Sequence, residues 1–519
     1  MSPGPSADPS ASSPTPSTAP QAKLSTSDSS DDDRKPRTLI LCFDGTNEQY
    51  DGNNTNVVKF YSLLKKDDDN DQQLCYYQPG VGTYLNPGVV SPLFQWGAKL
   101  LDEAFAWRVE LGLRARYQFL MQNYNAGDKI CLFGFSRGAY TARALAGMLH
   151  KIGLLPKDNP EQIPFAYKLY TKTDKDSLAM AAGFKQTFCR TIEIEFVGVW
   201  ETVSSVGVLM SRTLPFTTAN MTIKRFRHAL SLDEHRVKFL PNFYHRAPTS
   251  SDVRFSVFDS QQSDETRQEL APGVPPATAD SEPGKASKTT RRGWFGKFAR
   301  SPANVEKAKL HQNKARLLRR KGHSPTQSST SSLVAEAQGD RIPGGTDVQE
   351  VWFAGCHGDV GGGAVDDDVV VSLSDITLRW MVREVVLAQC GIAFDEAALV
   401  RANIPESIFR GTGFPLPAQT TISGSDPLDT SADALQPIHD ALKTSPMWWL
   451  VEIVPTWWQW QKPDGTWKTT FWWHLGRGRQ VPLDVQPKFH VTVRERMQDP
   501  NLKYTPKAQW KAGTEVYVD

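Results

Sequence analysis

Residues 130–143 read ICLFGFSRGAYTAR. An apolar run, Ile130 to Phe133, leads into Gly134-Phe135-Ser136-Arg137-Gly138. The chain then continues at once into an alanine-rich stretch with helical spacing, Ala139 to Leu149, which Gly153 is placed to end. A buried strand that turns sharply into a helix holds the intervening residue in a strained backbone conformation, and flanking glycines keep Cβ atoms out of the turn. With serine at the apex, this is the elbow that presents a nucleophile above a parallel sheet. The pentapeptide alone is weak evidence, and a turn serine capping its helix is the plainer reading. The strand before it and the helix after it favour the elbow.

On either side the chain repeats the same alternation. Thr38 to Phe43 is a continuous β-rich run broken by Asp44-Gly45-Thr46, and Leu74 to Tyr77 is a short strand before Pro79-Gly80-Val81-Gly82. Leu101, Phe105, Val109, Leu113, Tyr117, Leu120 and Tyr124 recur at helical spacing on one face, with Gly127 placed as a stop. Ile192 to Trp200 is a buried strand ending at Glu201, and Val351 to Ala354 is the final one, ending at Cys356-His357. Buried strands alternating with amphipathic helices predict an α/β fold, a mostly parallel sheet with helices on both faces.

Composition bounds the rest. A chain of 519 residues with 39% hydrophobic residues can build a sizeable core, and a formal charge of +2 gives no global reason to expect nucleic acid as a partner. The six cysteines (Cys42, Cys75, Cys131, Cys189, Cys356, Cys390) form no CxxC pair and sit mostly in apolar contexts, so buried reduced thiols are expected. The start, MSPGPSADPSASSPTPSTAP, has neither a basic n-region nor an apolar core, and no stretch reaches the roughly 20 apolar residues that span a bilayer. An intracellular, cytoplasmic location follows as the expectation. Residues 1–36 are Ser/Pro/Thr-rich and acidic at Asp31 to Asp33, a tail unable to bury a core. From 37 to 519 a single domain is expected, interrupted at about 258–345 by a disordered insertion and closed by a Trp-rich segment. Within the insertion, Lys285 to Lys321 carries thirteen Lys or Arg against one acid, Glu306. That composition suits either a solvated linker or peripheral contact with an anionic membrane.

A serine at an elbow needs a base, an acid to orient it and donors for an oxyanion. Functional groups of open parallel sheets gather beyond the C-terminal strand ends. Three such ends carry Ser136, Glu201 and His357, in the chain order nucleophile, acid, histidine. The oxyanion donors would be the backbone N–H of Arg137 and a second from the loop of Gly45 and Thr46, beside Asp44. Asp44 itself equally fits a residue that hydrogen-bonds its own turn. Asp359 and Asp233 are alternative acids, and His490 is a weaker rival base without a Gly-rich strand-end context. Asp67 to Asp71 and Asp366-Asp367-Asp368 lack EF-hand spacing and read as solvated loops, so no metal and no cofactor are expected.

Taken together, LCFDGTN, YYQPGVGT, FGFSRGAYTARALAGM, FVGVWETV, WFAGCHGDVGGG and LSDITLRWMV resemble the DUF2235 family, the α/β-hydrolase domain of bacterial type VI secretion phospholipase effectors, with relatives common in fungi. The resemblance runs from about Arg37 to Leu240, resumes at Val351 and fades into HLGRGRQVP and FHVTVRER. It implies Ser136 as nucleophile, His357 as the histidine and a lipid or phospholipid acyl ester as substrate. The family's acid is usually aspartate in a Trp-Asp-Thr-Val context, where this chain has Glu201. The expected function is a serine esterase acting through an acyl-enzyme. The alternatives are a catalytically silent scaffold or interaction module on the same fold, and an amidase or peptidase with the same triad. Eight of the fifteen tryptophans lie between Trp448 and Trp473, which fits aromatic packing in a hairpin or an interfacial rim at the site's mouth.

Overall fold

The computed structural model describes residues 35–45, 48, 50–66, 72–80, 110–203, 210–211, 214–217, 220–244, 345–409, 431–453, 456–461, 467–482 and 486–519. The N-terminal tail to residue 34, the acidic run at 67–71, the part of the expected helix before residue 110 and the expected insertion up to residue 344 lie outside the described residues. One body runs from Arg37 onward.

In chain order its strands are β1 Thr38–Phe43, β2 Gln73–Gln78, β3 Lys129–Phe135, β4 Ile194–Trp200, β5 Met210–Ser211, β6 Ile223–Ser231, β7 Asp347–Phe353, β8 Thr456–Gln461, β9 Trp467–Trp472, β10 Lys488–His490 and β11 Val516–Val518. Eight of them form one sheet in the order β11-β10-β7-β6-β4-β3-β1-β2. Every pairing in it is parallel. The chain leaves β1 for β2 on one side and returns to β3 on the other. The strand order therefore switches between β1 and β3, where ligand crevices of such sheets open.

Both faces are covered because successive side chains of a strand point to opposite sides. Leu39 and Leu41 of β1, with Ile130 and Leu132 of β3, pack under the helix described from residue 110 to 123 and under the helices Ser136–Ile152, Ile163–Thr171 and Lys175–Phe188. Ile40 and Cys42, with Cys131 and Phe133, pack under the helices Asn56–Leu63 and Leu373–Ala388 through Phe60, Leu378 and Met381. The elbow strand is two residues longer at its C-terminal end than its apolar run suggests, and the helix after it ends at Gly153 as expected.

Two parts of the sheet escape a reading of apolar runs. Strand β6 lies between β4 and β7 yet carries Lys224, Arg225 and Arg227. Those charges are met within the sheet and its helices: Lys224 and Arg225 pair with Glu195 of β4 at 2.9 and 2.8 Å, and Arg227 lies between Asp347 at 2.7 Å and Glu384. Val351 to Ala354 is also not the last strand, since β10 and β11 extend the sheet edge beyond β7. At three residues each they are too short to show a period. The Trp-rich segment forms an antiparallel hairpin of β8 and β9, joined by β5 in a separate small sheet.

Candidate active site

The turn from β3 into its helix is as sharp as the sequence implies. Ser136 has φ 57°, in the left-handed region, and is the first residue of the helix Ser136–Ile152. A non-glycine residue held there costs about 1–3 kcal/mol, which the packing on both sides must offset. The elbow lies so close to the end of β1 that a Cβ on Gly138 would stand 2.1 Å from the Phe43 carbonyl oxygen. Glycine is therefore a steric requirement at that position.

Glu201 follows β4 directly, also with φ in the left-handed region at 49°, and is fully buried. Its backbone N–H stays on the ladder, donating to Ala229 O at 2.9 Å, while the side chain turns beneath the strand ends. Oε2 meets His357 Nδ1 at 2.9 Å. Oε1 accepts the Ser231 N–H at 2.6 Å. Arg479 then grips both oxygens, Nη1 to Oε1 at 2.7 Å and Nη2 to Oε2 at 2.8 Å. Burial by itself would raise the carboxyl's pKa, but the charge and hydrogen bonds of Arg479, with the hydrogen bond from His357, outweigh it and hold Glu201 ionised well below the usual carboxylate range.

His357 opens a short helix, His357–Gly361, just past β7. Its ring lies against Phe135, the residue before Ser136, at 4.7 Å between centroids, and against Phe239 at 4.6 Å on another side. With Nδ1 on Glu201, the buried Nε2 has no hydrogen-bond partner among the described residues. Burial lowers the imidazole's pKa more than Glu201 and Glu234 raise it, so the ring is neutral at neutral pH. A neutral histidine whose Nδ1 is tied to a carboxylate keeps Nε2 as the basic nitrogen.

Arg479 was not singled out by the sequence reading, although the HLGRGRQVP stretch that holds it was. It sits in a segment that closes under β6: Gln509 donates to Arg479 O at 2.8 Å, and Val481 donates to Gln509 O at 2.9 Å. A Cβ on Gly478 would stand 1.7 Å from Lys507 O, so this approach also depends on glycine. Glu234 and Arg236, just past β6 and Asp233, were missed too. Glu234 receives the His357 N–H at 3.2 Å and pairs with Arg236, whose guanidinium lies 3.6 Å from the Phe239 ring centroid and 4.9 Å from that of Trp448.

The other expected residues divide clearly. The Gly45 N–H donates to Asp44 Oδ1 at 2.8 Å, and Asp44 also accepts from Thr55 and Tyr77, so Asp44 shapes its own turn and engages the Gly45 amide. Thr46 lies outside the described residues. Arg137 follows Ser136 in the first turn of the helix; its carbonyl accepts from Thr141 Oγ1 at 3.0 Å, and burial lowers its guanidinium to about 10, still charged at neutral pH. Nearby, Glu48 is pushed up to about 7 by burial and by the charges of Asp44 and Asp51. Asp359 faces His439, at 2.7 Å, and the Cys356 N–H, whereas Asp233 accepts from Gly355 N–H and Tyr504. Neither carboxylate has a hydrogen bond to His357 among the described residues. His490 stacks on Phe353 at the end of β10 and is lowered to about 3 by burial and by Arg383 and Arg379. Asp367 accepts the Asn54 N–H at 3.0 Å and so ties its loop to the one at 51–54. All six cysteines are free thiols.

Comparison with known proteins identifies the family. The catalytic-domain model described as "T6SS, Phospholipase effector Tle1-like, catalytic domain" matches residues 37–384. A curated relative, "Uncharacterized protein YEL023C" of Saccharomyces cerevisiae (strain ATCC 204508 / S288c), is 29% identical, with 88% of this chain and 79% of that protein aligned. A crystal structure of an uncharacterized protein from Pseudomonas aeruginosa aligns over 70% of this chain at 18% identity and a TM-score of 0.32; the alignment spans 47% of that chain. With the match covering both elbow glycines, Glu201 and His357 and well over half of its length, this chain belongs to the family of Tle1-like phospholipase effector catalytic domains.

Proposed function

We propose that the protein is a serine hydrolase that cleaves carboxylic esters, with Ser136 as nucleophile, His357 as general base and acid, and Glu201 as the acid that fixes the imidazole. The observation that carries this reading is the state of His357. One ring nitrogen is tied to an ionised carboxylate, the other is unpartnered, and the ring lies against the residue that precedes a serine held in a strained conformation. Most buried polar side-chain atoms have a hydrogen-bond partner, so an open nitrogen beside the serine elbow fits a base that awaits a proton.

In the reaction, Ser136 Oγ attacks the ester carbonyl as its proton passes to His357 Nε2. Glu201 stabilises the imidazolium without taking the proton. The Arg137 N–H, at the positive end of the helix dipole, would bind the oxyanion, whereas the Gly45 N–H is already held by Asp44. Collapse of the tetrahedral intermediate breaks the ester C–O bond, and His357 gives its proton to the departing alkoxide. Water then repeats the sequence on the acyl-enzyme and releases the carboxylic acid.

Membership of a phospholipase family favours a lipid acyl ester, and the surface beside the site suits one. Phe239, packed on His357, touches Trp448 at 5.5 Å between centroids. Around Trp448 the chain exposes Met447, Trp449, Leu450 and Ile453, and around Trp473 it exposes Phe471 and Leu475. Such a rim can enter the interfacial layer of a membrane while the strand ends face the lipid. No described helix is long and apolar enough to cross a membrane, so the contact in this reading is peripheral. The test is hydrolysis of a short-chain soluble ester beside that of a phospholipid in vesicles, each by the parent and by Ser136→Ala. Serine-dependent turnover of both is expected. Turnover of the soluble ester alone would remove the lipid from the proposal, and no turnover with no fluorophosphonate labelling would leave the scaffold reading.

A further inference from the structure

A serine–carboxylate–histidine arrangement does not require an arginine, yet this one has Arg479 bonded to both oxygens of its carboxylate. The side chains of Arg479 and Glu201 are 1% and 0% exposed, so the pair is sealed from water. Arg479 also donates to the carbonyls of Ser231 at 3.0 Å and Phe239 at 2.7 Å. The first belongs to the residue whose N–H binds Glu201, and the second to the residue whose ring packs on His357. One guanidinium therefore fixes the carboxylate and both backbone segments that frame the imidazole.

We infer that Arg479 is a positioning residue of the proposed hydrolytic site: its planar fork neutralises and orients the Glu201 carboxylate, so that His357 is presented as a neutral base. The inference rests on the reading given under Proposed function. Its physical content is a charge balance. Glu201 with a neutral His357 would leave one uncompensated negative charge in a fully buried place, and such a pair takes up a proton readily, on whichever partner. With Arg479 the group is neutral at rest and becomes positive only when the imidazolium forms during turnover. The other charged or titratable groups facing the pair are Glu234, Arg236, His228 and Cys356. Glu234 and Arg236 neutralise each other, His228 is engaged by Glu350, and the Cys356 thiol is pushed far up by burial. Asp359, on the same short helix as His357, is turned to His439. None of these can take over the two-pronged contact. Arginine is the residue suited to the task, because it stays charged when buried and its fork matches a carboxylate. It lies 95 residues beyond the last residue of the family match, so the matched segment by itself does not hold the complete group.

The experiment measures the rate of fluorophosphonate labelling against pH for the full-length parent, Arg479→Met and Arg479→Lys, with circular dichroism to verify folding. Labelling reports the activated serine in one chemical step and needs no knowledge of the natural substrate. In Arg479→Met the midpoint of the acid limb is expected to move up by about 1 unit or more, the size of shift that an adjacent opposite charge produces. Arg479→Lys keeps the charge but not the fork; its midpoint should stay within about half a unit of the parent's while its plateau rate falls about tenfold, as for loss of one orienting contact. Glu48, which titrates near the 45–46 loop, is present in all three proteins and so does not distinguish them. A folded methionine variant with the parent's midpoint overturns the inference. If that variant does not fold, a lysine variant that labels at the parent's plateau rate overturns it. A parent that does not label at Ser136 at all defeats the hydrolase reading instead, which separates the two failures.

Discussion

The elbow at 130–143 and the C-terminal stretch at 442–481 contribute to the same site in opposite ways. The elbow is local: strand, strained serine, glycines and helix are consecutive in the chain, and each follows from its neighbours. The C-terminal stretch is remote. It contributes Arg479 to the carboxylate and Trp448 to the ring stack over His357, through contacts that span more than two hundred residues of sequence. In the proposed reaction the elbow would set the class of chemistry, whereas the remote stretch would set the state of charge in which the base waits and the surface presented beside it. A motif can therefore be complete in the family-matched segment while the site is not.

Substitutions at the two regions test this contrast. The largest effect is expected at the elbow: Ser136→Ala should lower ester hydrolysis by roughly 10³-fold or more with the fold unchanged, measured as kcat/KM beside a thermal melt. Glu201→Gln comes next. It should cost about 10²–10⁴-fold in kcat through loss of the carboxylate that orients His357, and it also leaves Arg479 buried without its partner, about 3–5 kcal/mol of stability read by urea denaturation. Glu201→Asp keeps the charge and should retain more activity than the amide. Gly138→Ala follows, because its methyl would meet the Phe43 carbonyl. A loss of about 1–3 kcal/mol with strongly reduced labelling is expected, and a parent-like melt would show the turn to be looser than described.

The smaller effects lie in the remote region and its neighbours. Asp359→Asn, which touches His439 and not His357, should leave the midpoint of the pH profile unchanged. A shift there would make Asp359 part of the acid. For the parent, the burial that lowers His357 places the acid limb of kcat/KM below the ordinary histidine value of about 6.5, with activity rising as pH rises because the neutral ring is the active form. The double variant Leu450→Ser/Ile453→Ser should weaken co-sedimentation with phospholipid vesicles several-fold while leaving soluble-ester turnover unchanged, since both side chains are exposed and neither is among the hydrogen-bond or ring partners of Ser136, Glu201 and His357. Equal co-sedimentation would place the lipid contact elsewhere.

The difference between the regions also explains what the sequence disclosed. The pattern of β1, β3 and β4 was legible because these strands are buried on both faces and read as unbroken apolar runs. Ser136, Glu201 and His357 stood out because each closes or follows such a run. Strand β6 was hidden by its cationic residues, whose carboxylate partners lie on other elements and leave no local trace. Arg479 was hidden for the same reason: its role depends on Glu201, which is 278 positions away, and an arginine between Gly478 and Gln480 has no strand or helix period to mark it. The glycines of HLGRGRQVP carried the available signal. Gly478 marks a close backbone approach, and the arginine beside it is the residue delivered there.

Whether Ser136 is the activated nucleophile is decided by peptide mapping of the fluorophosphonate adduct on the full-length protein. One adduct per chain is expected, on the peptide containing Ser136 and absent from the His357→Ala variant. An adduct on another residue, or none on a folded protein at pH 8, would contradict that role.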